Sequence, residues 1–197
     1  MIVKNRLDPV SGWFEDAEKR ASPNFDARPA GIEVDLIVLH AISLPPGVFG
    51  GGYIHEFFLN RLRNSAHPYF AEIAALRVSA HLLIDRAGDL TQFVSTHARA
   101  WHCGDSRHAG RVACNDFSIG VELEGCDEQE FTGQQYGRLN AVLSELVRVY
   151  PGLTADTIVG HSDIAPARKT DPGPFFDWDR MRSGLGDAMA AASGLCR

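Results

Sequence analysis

The sequence predicts an α/β (α+β) fold with a mixed central β-sheet flanked by helices, and three segments carry that prediction. Residues 33–39 (EVDLIVL) form a short apolar run rich in β-branched residues behind a Pro/Gly-bearing loop, the pattern of a buried strand. Residues 117–124 (FSIGVELE) alternate strictly, with Phe117, Ile119, Val121 and Leu123 on one face and Ser118, Gly120, Glu122 and Glu124 on the other. From 134 to 150, Tyr136, Leu139, Val142, Leu143, Leu146, Val147 and Tyr150 follow helical spacing until Pro151-Gly152 stops it. With 197 residues, 45% hydrophobic and 22% charged, the chain fills one sizeable core. A single domain over residues 1–197, with its core at about 25–185, is expected.

In chain order, the strand at 33–39 delivers His40 at its end. Residues 43–52 (SLPPGVFGGG) then leave regular structure, because proline removes donors and consecutive glycines leave the backbone loose. Helical spacing of Ile54, Phe57, Phe58 and Leu62 predicts a helix over 53–63. Strands at 78–84 and 90–94, joined by the turn DRAGD, read as a hairpin. One face of the 117–124 strand is core and the other looks outward or into a cleft. A short strand at 157–160 hands over to His161, a Pro/Gly-rich loop follows to Pro174, and a last helix begins within 175–181.

The formal net charge of −6 opposes nucleic-acid binding, which needs a basic field to displace phosphate counterions. Residues 1–9 hold no apolar signal segment, so a cytoplasmic protein is expected. No apolar stretch approaches the ~20 residues that span a bilayer, so no membrane partner is expected. A monomer is expected. Cys103, Cys114, Cys126 and Cys196 are widely spaced without a Cys-x-x-Cys pair and read as free, mostly packing thiols.

His40 and His161 each follow a short apolar strand, where a side chain is held rigidly at the sheet rim. Asp171, in the loop that leaves His161, supplies a third ligand type, and a His₂Asp zinc site keeps the fourth position open for water. Eight histidines allow other pairs, so spacing alone leaves the trio one choice among several. Glu122 on a polar strand face is a candidate general base, and alternation does not separate it from Glu124. Lys169 is a candidate for oxyanion stabilisation, or a plain loop lysine. Trp101 and His102 offer an aromatic surface to a sugar or peptide, and Arg77 and Arg111 offer bidentate donors to a carboxylate.

Several ordered blocks resemble the N-acetylmuramoyl-L-alanine amidase type 2 family, related to phage amidases and peptidoglycan recognition proteins. They are VLH (38–40), ISLPPG (42–47), HPYF (67–70), RVSAH (77–81), AWH (100–102), CNDFSIGVELEG (114–125), GHSDIAP (160–166) and RKTDPGP (168–174). The resemblance spans nearly the whole chain and implies the amidase type 2 fold. It implies zinc on His40, His161 and Asp171, with Glu122 rather than Glu124 activating water and Lys169 assisting charge stabilisation. For the family's cytoplasmic branch it implies cleavage of the bond between 1,6-anhydro-N-acetylmuramic acid and L-alanine, with a small muropeptide as the partner. Ala41 stands where that branch places an asparagine, and Ala113 where it places an arginine, which puts substrate orientation in question and makes Arg111 a stand-in. A non-catalytic wall-fragment binding module and a phage-type amidase acting on intact wall are the alternatives.

Overall fold

A computed structural model describes residues 5–194; Cys196 lies outside them. Six strands form one mixed sheet: β1 (Glu18–Lys19), β2 (Leu36–Ile42), β3 (Leu82–Ile84), β4 (Leu90–Gln92), β5 (Ser118–Glu124) and β6 (Ile158–Gly160), in the order β6-β2-β5-β3-β4-β1. β2 lies parallel to both β5 and β6, and β5 is also parallel to β3. β3 and β4 form the antiparallel hairpin expected from the DRAGD turn, and β1 runs parallel to β4.

A parallel sheet must be covered on both faces. On one face Ile37, Leu39, Ile119, Val121 and Leu123 pack against Leu139, Val142, Leu143 and Leu146 of the long helix Gly133–Val149 and against Met181 and Leu185 of the C-terminal helix Trp178–Gly194. The first of these helices starts where Thr132 and Gln135 exchange side-chain and backbone hydrogen bonds, which satisfies two N–H groups that a helix start otherwise orphans. Gln135 also donates to the carbonyl of Glu124, tying that helix start to the C-terminal end of β5.

The opposite face is covered by short elements. Phe57 and Phe58 of the helix Tyr53–Phe58 and Phe70 of the turn Phe70–Ile73 cluster with Leu83 and Phe93. Cys103, Cys114, Phe117 and Ile164 cover Leu36 and Val38. Between these two clusters lies the polar part of the sheet that holds the site.

Several expected boundaries move, each for a local reason. β2 continues two residues past His40, so that ring is held inside a strand and not at its end. The helix after the glycine loop stops at Phe58, because Asn60 takes a positive φ of 58°. Of 78–84 only Leu82–Ile84 is strand, since the Ser79 N–H donates to the Trp101 carbonyl across a gap. The last helix begins at Trp178, after Phe176 has turned inward against Phe131 and Tyr136. β5 is buried along its whole length, so its polar face is not an outward one. Two- and three-residue ribbons, Leu7–Asp8 with Trp13–Phe14 and Phe25–Ala27 with Ala98–Ala100, were beyond reach of periodicity because so few residues show no period. Among the described residues no helix is long and apolar enough to cross a membrane.

Candidate active site

Parallel pairing of β2 with β5 sets Glu122 opposite His40 and Glu124 opposite Ile42. Side chains at paired positions share a face, so His40 and Glu122 stand together on the face away from the two long helices. β6 brings His161, the first residue of the turn His161–Ile164. The following loop folds back because the Arg168 and Lys169 N–H groups both donate to the Ala165 carbonyl and the Ser162 N–H donates to the Asp171 carbonyl, which carries Asp171 to the same rim.

His40 Nδ1, His161 Nδ1 and Asp171 Oδ2 form a nearly equilateral triangle with edges of 3.0, 3.1 and 3.0 Å. Three donors on a tetrahedral zinc ion at ~2.0–2.1 Å bonds stand about 3.3 Å apart, so the trio matches that donor set in type and nearly in spacing. Each ring's other nitrogen already has a partner: His40 Nε2 lies 2.9 Å from His102 Nδ1, and His161 Nε2 lies 3.0 Å from the Cys103 carbonyl. Burial lowers the His40 pKa to about 4, so the ring is neutral and able to ligate. Burial pushes the Asp171 carboxyl up, but its close contacts with the His161 and His40 rings outweigh it and hold the group well below the usual carboxylate range.

A second cluster, His40, His102 and Cys103, also brings ligand-type atoms together. It fits a metal less well. Burial pushes the Cys103 thiol far up in pKa, so the thiolate a metal needs is disfavoured. The contact to His102 also uses the His40 nitrogen on the far side of the ring from Asp171.

Glu122 is only 8% exposed, and its Oε2 has no hydrogen-bond partner. Burial first, and then the Asp171 charge, raise its pKa well above the carboxylate range, while Lys169 pulls the other way. Glu124 is occupied: its two oxygens accept from the Gly50 and Arg86 backbone N–H groups at 2.7 and 3.3 Å and tie the glycine loop to the sheet. Partners therefore separate two acids that alternation could not.

A cavity of about 550 Å³ opens over the trio, lined by His40, Trp101, His102, Glu122, His161, Lys169 and Asp171. Leu44, Phe57, Phe58, Ile73 and Leu76, with Tyr69, make part of its lining apolar. Lys169 sits half-buried in this lining. Arg77 and Arg111 do not reach it. Arg77 is exposed and donates to the carbonyls of Ala74, Ala75 and Leu76, while Arg111 forms a bidentate pair with Asp35 and lies 3.7 Å over the Phe117 ring. Ala41 lines the cavity, whereas Ala113, with φ 58°, does not. His102 turns out to hold His40 as well as line the wall. Sequence reasoning missed Arg168, which donates to the Cys103 and Asp105 carbonyls at the cavity edge, and the rim residues Cys126 and Asp127. Their nearness in sequence to Lys169 and Glu124 was the one available signal.

Comparison with known proteins gives a consistent result. Residues 30–174 match the N-acetylmuramoyl-L-alanine amidase family. The chain is 51% identical over 178 residues to the 1,6-anhydro-N-acetylmuramyl-L-alanine amidase AmpD of Haemophilus influenzae, covering 90% of this chain and 97% of that one. A crystal structure of a selenomethionine AmpD derivative superposes with a TM-score of 0.88 at 51% identity, over 91% of this chain and 98% of that one. AmpDh3 from Pseudomonas aeruginosa, solved in complex with an anhydromuramic pentapeptide, is 28% identical with a TM-score of 0.57, over 77% of this chain and 59% of that one.

Proposed function

The chain belongs to the N-acetylmuramoyl-L-alanine amidase family, and on that premise we propose that it is a zinc-dependent hydrolase of the amide joining 1,6-anhydro-N-acetylmuramic acid to the L-alanine of its stem peptide. The observation that carries this reading is the converging triangle of His40 Nδ1, His161 Nδ1 and Asp171 Oδ2 beside the unpartnered Oε2 of Glu122. His40, His161 and Asp171 hold the ion. Zinc there supplies Lewis-acid polarisation of the scissile carbonyl and lowers the pKa of the attacking water toward ~7.

Glu122 Oε2 takes a proton from the attacking water as it adds to the carbonyl carbon. Its raised pKa lets it keep that proton until the tetrahedral centre collapses and the L-alanine nitrogen leaves, whereupon Oε2 donates it to that nitrogen. Lys169 offsets negative charge on the tetrahedral oxygen from the cavity rim. Trp101 presents an aromatic face to the sugar, and the apolar part of the lining excludes water around the reacting amide. The products are an anhydromuramic acid with a free lactyl carboxylate and a peptide with a free α-amino group.

A soluble muropeptide is the partner, and the setting is cell-wall recycling in the cytoplasm, by one amidase domain acting as a monomer. Hydrolysis of a soluble anhydromuramyl tripeptide, compared with release of peptide from intact sacculi, tests the substrate. Cleavage of the soluble fragment with little on sacculi is expected; the reverse preference, or binding without cleavage, overturns the reading.

A further inference from the structure

We propose that the dipeptide His102–Cys103 is the positioning element of the metal site: it receives the Nε2 protons of both ligand histidines and so leaves both Nδ1 atoms bare toward Asp171. The inference rests on the zinc reading above and concerns residues outside the ligand trio.

Neutral imidazole carries one proton, so the partner of one nitrogen decides what the other can do. The Cys103 carbonyl can only accept, so His161 Nε2, 3.0 Å away, must be the protonated nitrogen and His161 Nδ1 the bare one. On His40, Nε2 faces His102 Nδ1 at 2.9 Å. When His102 Nδ1 accepts there, His40 Nδ1 is bare and the His102 proton sits on Nε2, 3.3 Å from the Ser118 hydroxyl oxygen, which accepts it. The Cys103 thiol, 3.2 Å from the same Nδ1, is a weaker donor than an imidazole N–H and yields to it.

The clamp is itself held. Asn115 Oδ1 accepts from both backbone N–H groups of the dipeptide, at 3.1 and 2.8 Å. Arg168 donates to the second lone pair of the Cys103 carbonyl at 2.6 Å. The ring of His102 lies over Gly120, where an added Cβ would stand 2.5 Å from Nδ1, so only glycine at this point of β5 leaves it room. One loop segment therefore orients two ligands that arrive from two different strands. Removing one such outer partner of a ligand histidine weakens metal binding by about 10–100-fold.

Asn and Leu have the same branched shape, and Asn alone places an acceptor where His102 Nδ1 lies. Zinc affinity, measured by competition with a chromophoric chelator on metal-stripped protein, should stay near wild type in His102→Asn and fall by about 10–100-fold in His102→Leu at unchanged one-to-one stoichiometry. Zinc-loaded wild-type protein should also show a through-hydrogen-bond ¹⁵N–¹⁵N coupling between His40 Nε2 and His102 Nδ1, which decides the matter if the Leu variant fails to fold. Equal affinities in the two variants, or an absent coupling, overturn the clamp while wild-type zinc binding stands. A wild-type protein that binds no zinc, or a His161→Ala variant that binds it as tightly, overturns the ligand reading first and the clamp with it.

Discussion

Glu122 is a carboxyl kept out of water with one oxygen unpartnered, an arrangement that costs stability whenever the group is ionised. Its folded pKa is raised, so its contribution is favourable at low pH and is lost as pH rises above the ordinary carboxylate value. Glu122→Gln is therefore expected to melt at or above the wild-type temperature at pH 7 and to keep zinc, while turnover falls by at least ~10²-fold. Calorimetry beside steady-state kinetics checks this, and near wild-type turnover removes Glu122 from the role. His81 works in the opposite sense. Burial, then Arg28, lowers its pKa to about 3 from the ordinary 6.5, and its Nδ1 accepts from the Gly120 N–H. Its stabilising effect is full above pH 6.5 and is lost toward pH 3, with a slope of ~1.4 kcal/mol per pH unit. Urea unfolding of metal-stripped protein from pH 7 to 4 should show a shallower pH slope in His81→Asn than in wild type; identical slopes contradict the assignment. At this scale residue type was legible and partnership was not: Glu122 and Glu124 look alike in an alternating strand until the Gly50 and Arg86 N–H groups are seen to occupy one of them.

Among elements, the pairing of β2 with β5 does most to build the site, since it fixes His40 beside Glu122 without help from any loop. Both strands were readable, because seven residues suffice to show an apolar run or an alternation, but nothing in either one states which strand it pairs with or in what register. The helix Gly133–Val149 was readable almost to the residue, since its apolar stripe persists over four turns and Pro151-Gly152 follows. Its Thr132 hydroxyl accepts from the Gln135 N–H and donates to the Arg86 carbonyl, outside the cavity lining. Thr132→Ala is expected to cost about 1–2 kcal/mol in chemical denaturation and leave kcat/KM unchanged. A loss of activity in proportion to stability would mean that this end of the helix communicates with the site.

For the molecule as a whole, the fold class and the side-chain chemistry were legible, while the enclosure of the site was not. Its walls come from segments distant in sequence, including Phe57, Trp101 and Lys169, which meet only in the folded chain. The molecule carries a net charge of −6, yet Lys169 and Arg168 stand in the cavity lining beside Asp171. Glu122, Asp127, Glu128 and Asp171 share that lining, so the two cations are set among acids. A metal held by His40, His161 and Asp171 and used on one particular bond is the core of the proposed function. The measurement that tests it most directly is mass analysis of the products from a soluble 1,6-anhydromuramyl tripeptide, treated with native, chelator-stripped and zinc-restored protein. Free tripeptide and anhydromuramic acid should form with native protein, vanish on stripping and return with zinc. Product formation that survives complete removal of the metal, or scission at any other bond, would contradict it.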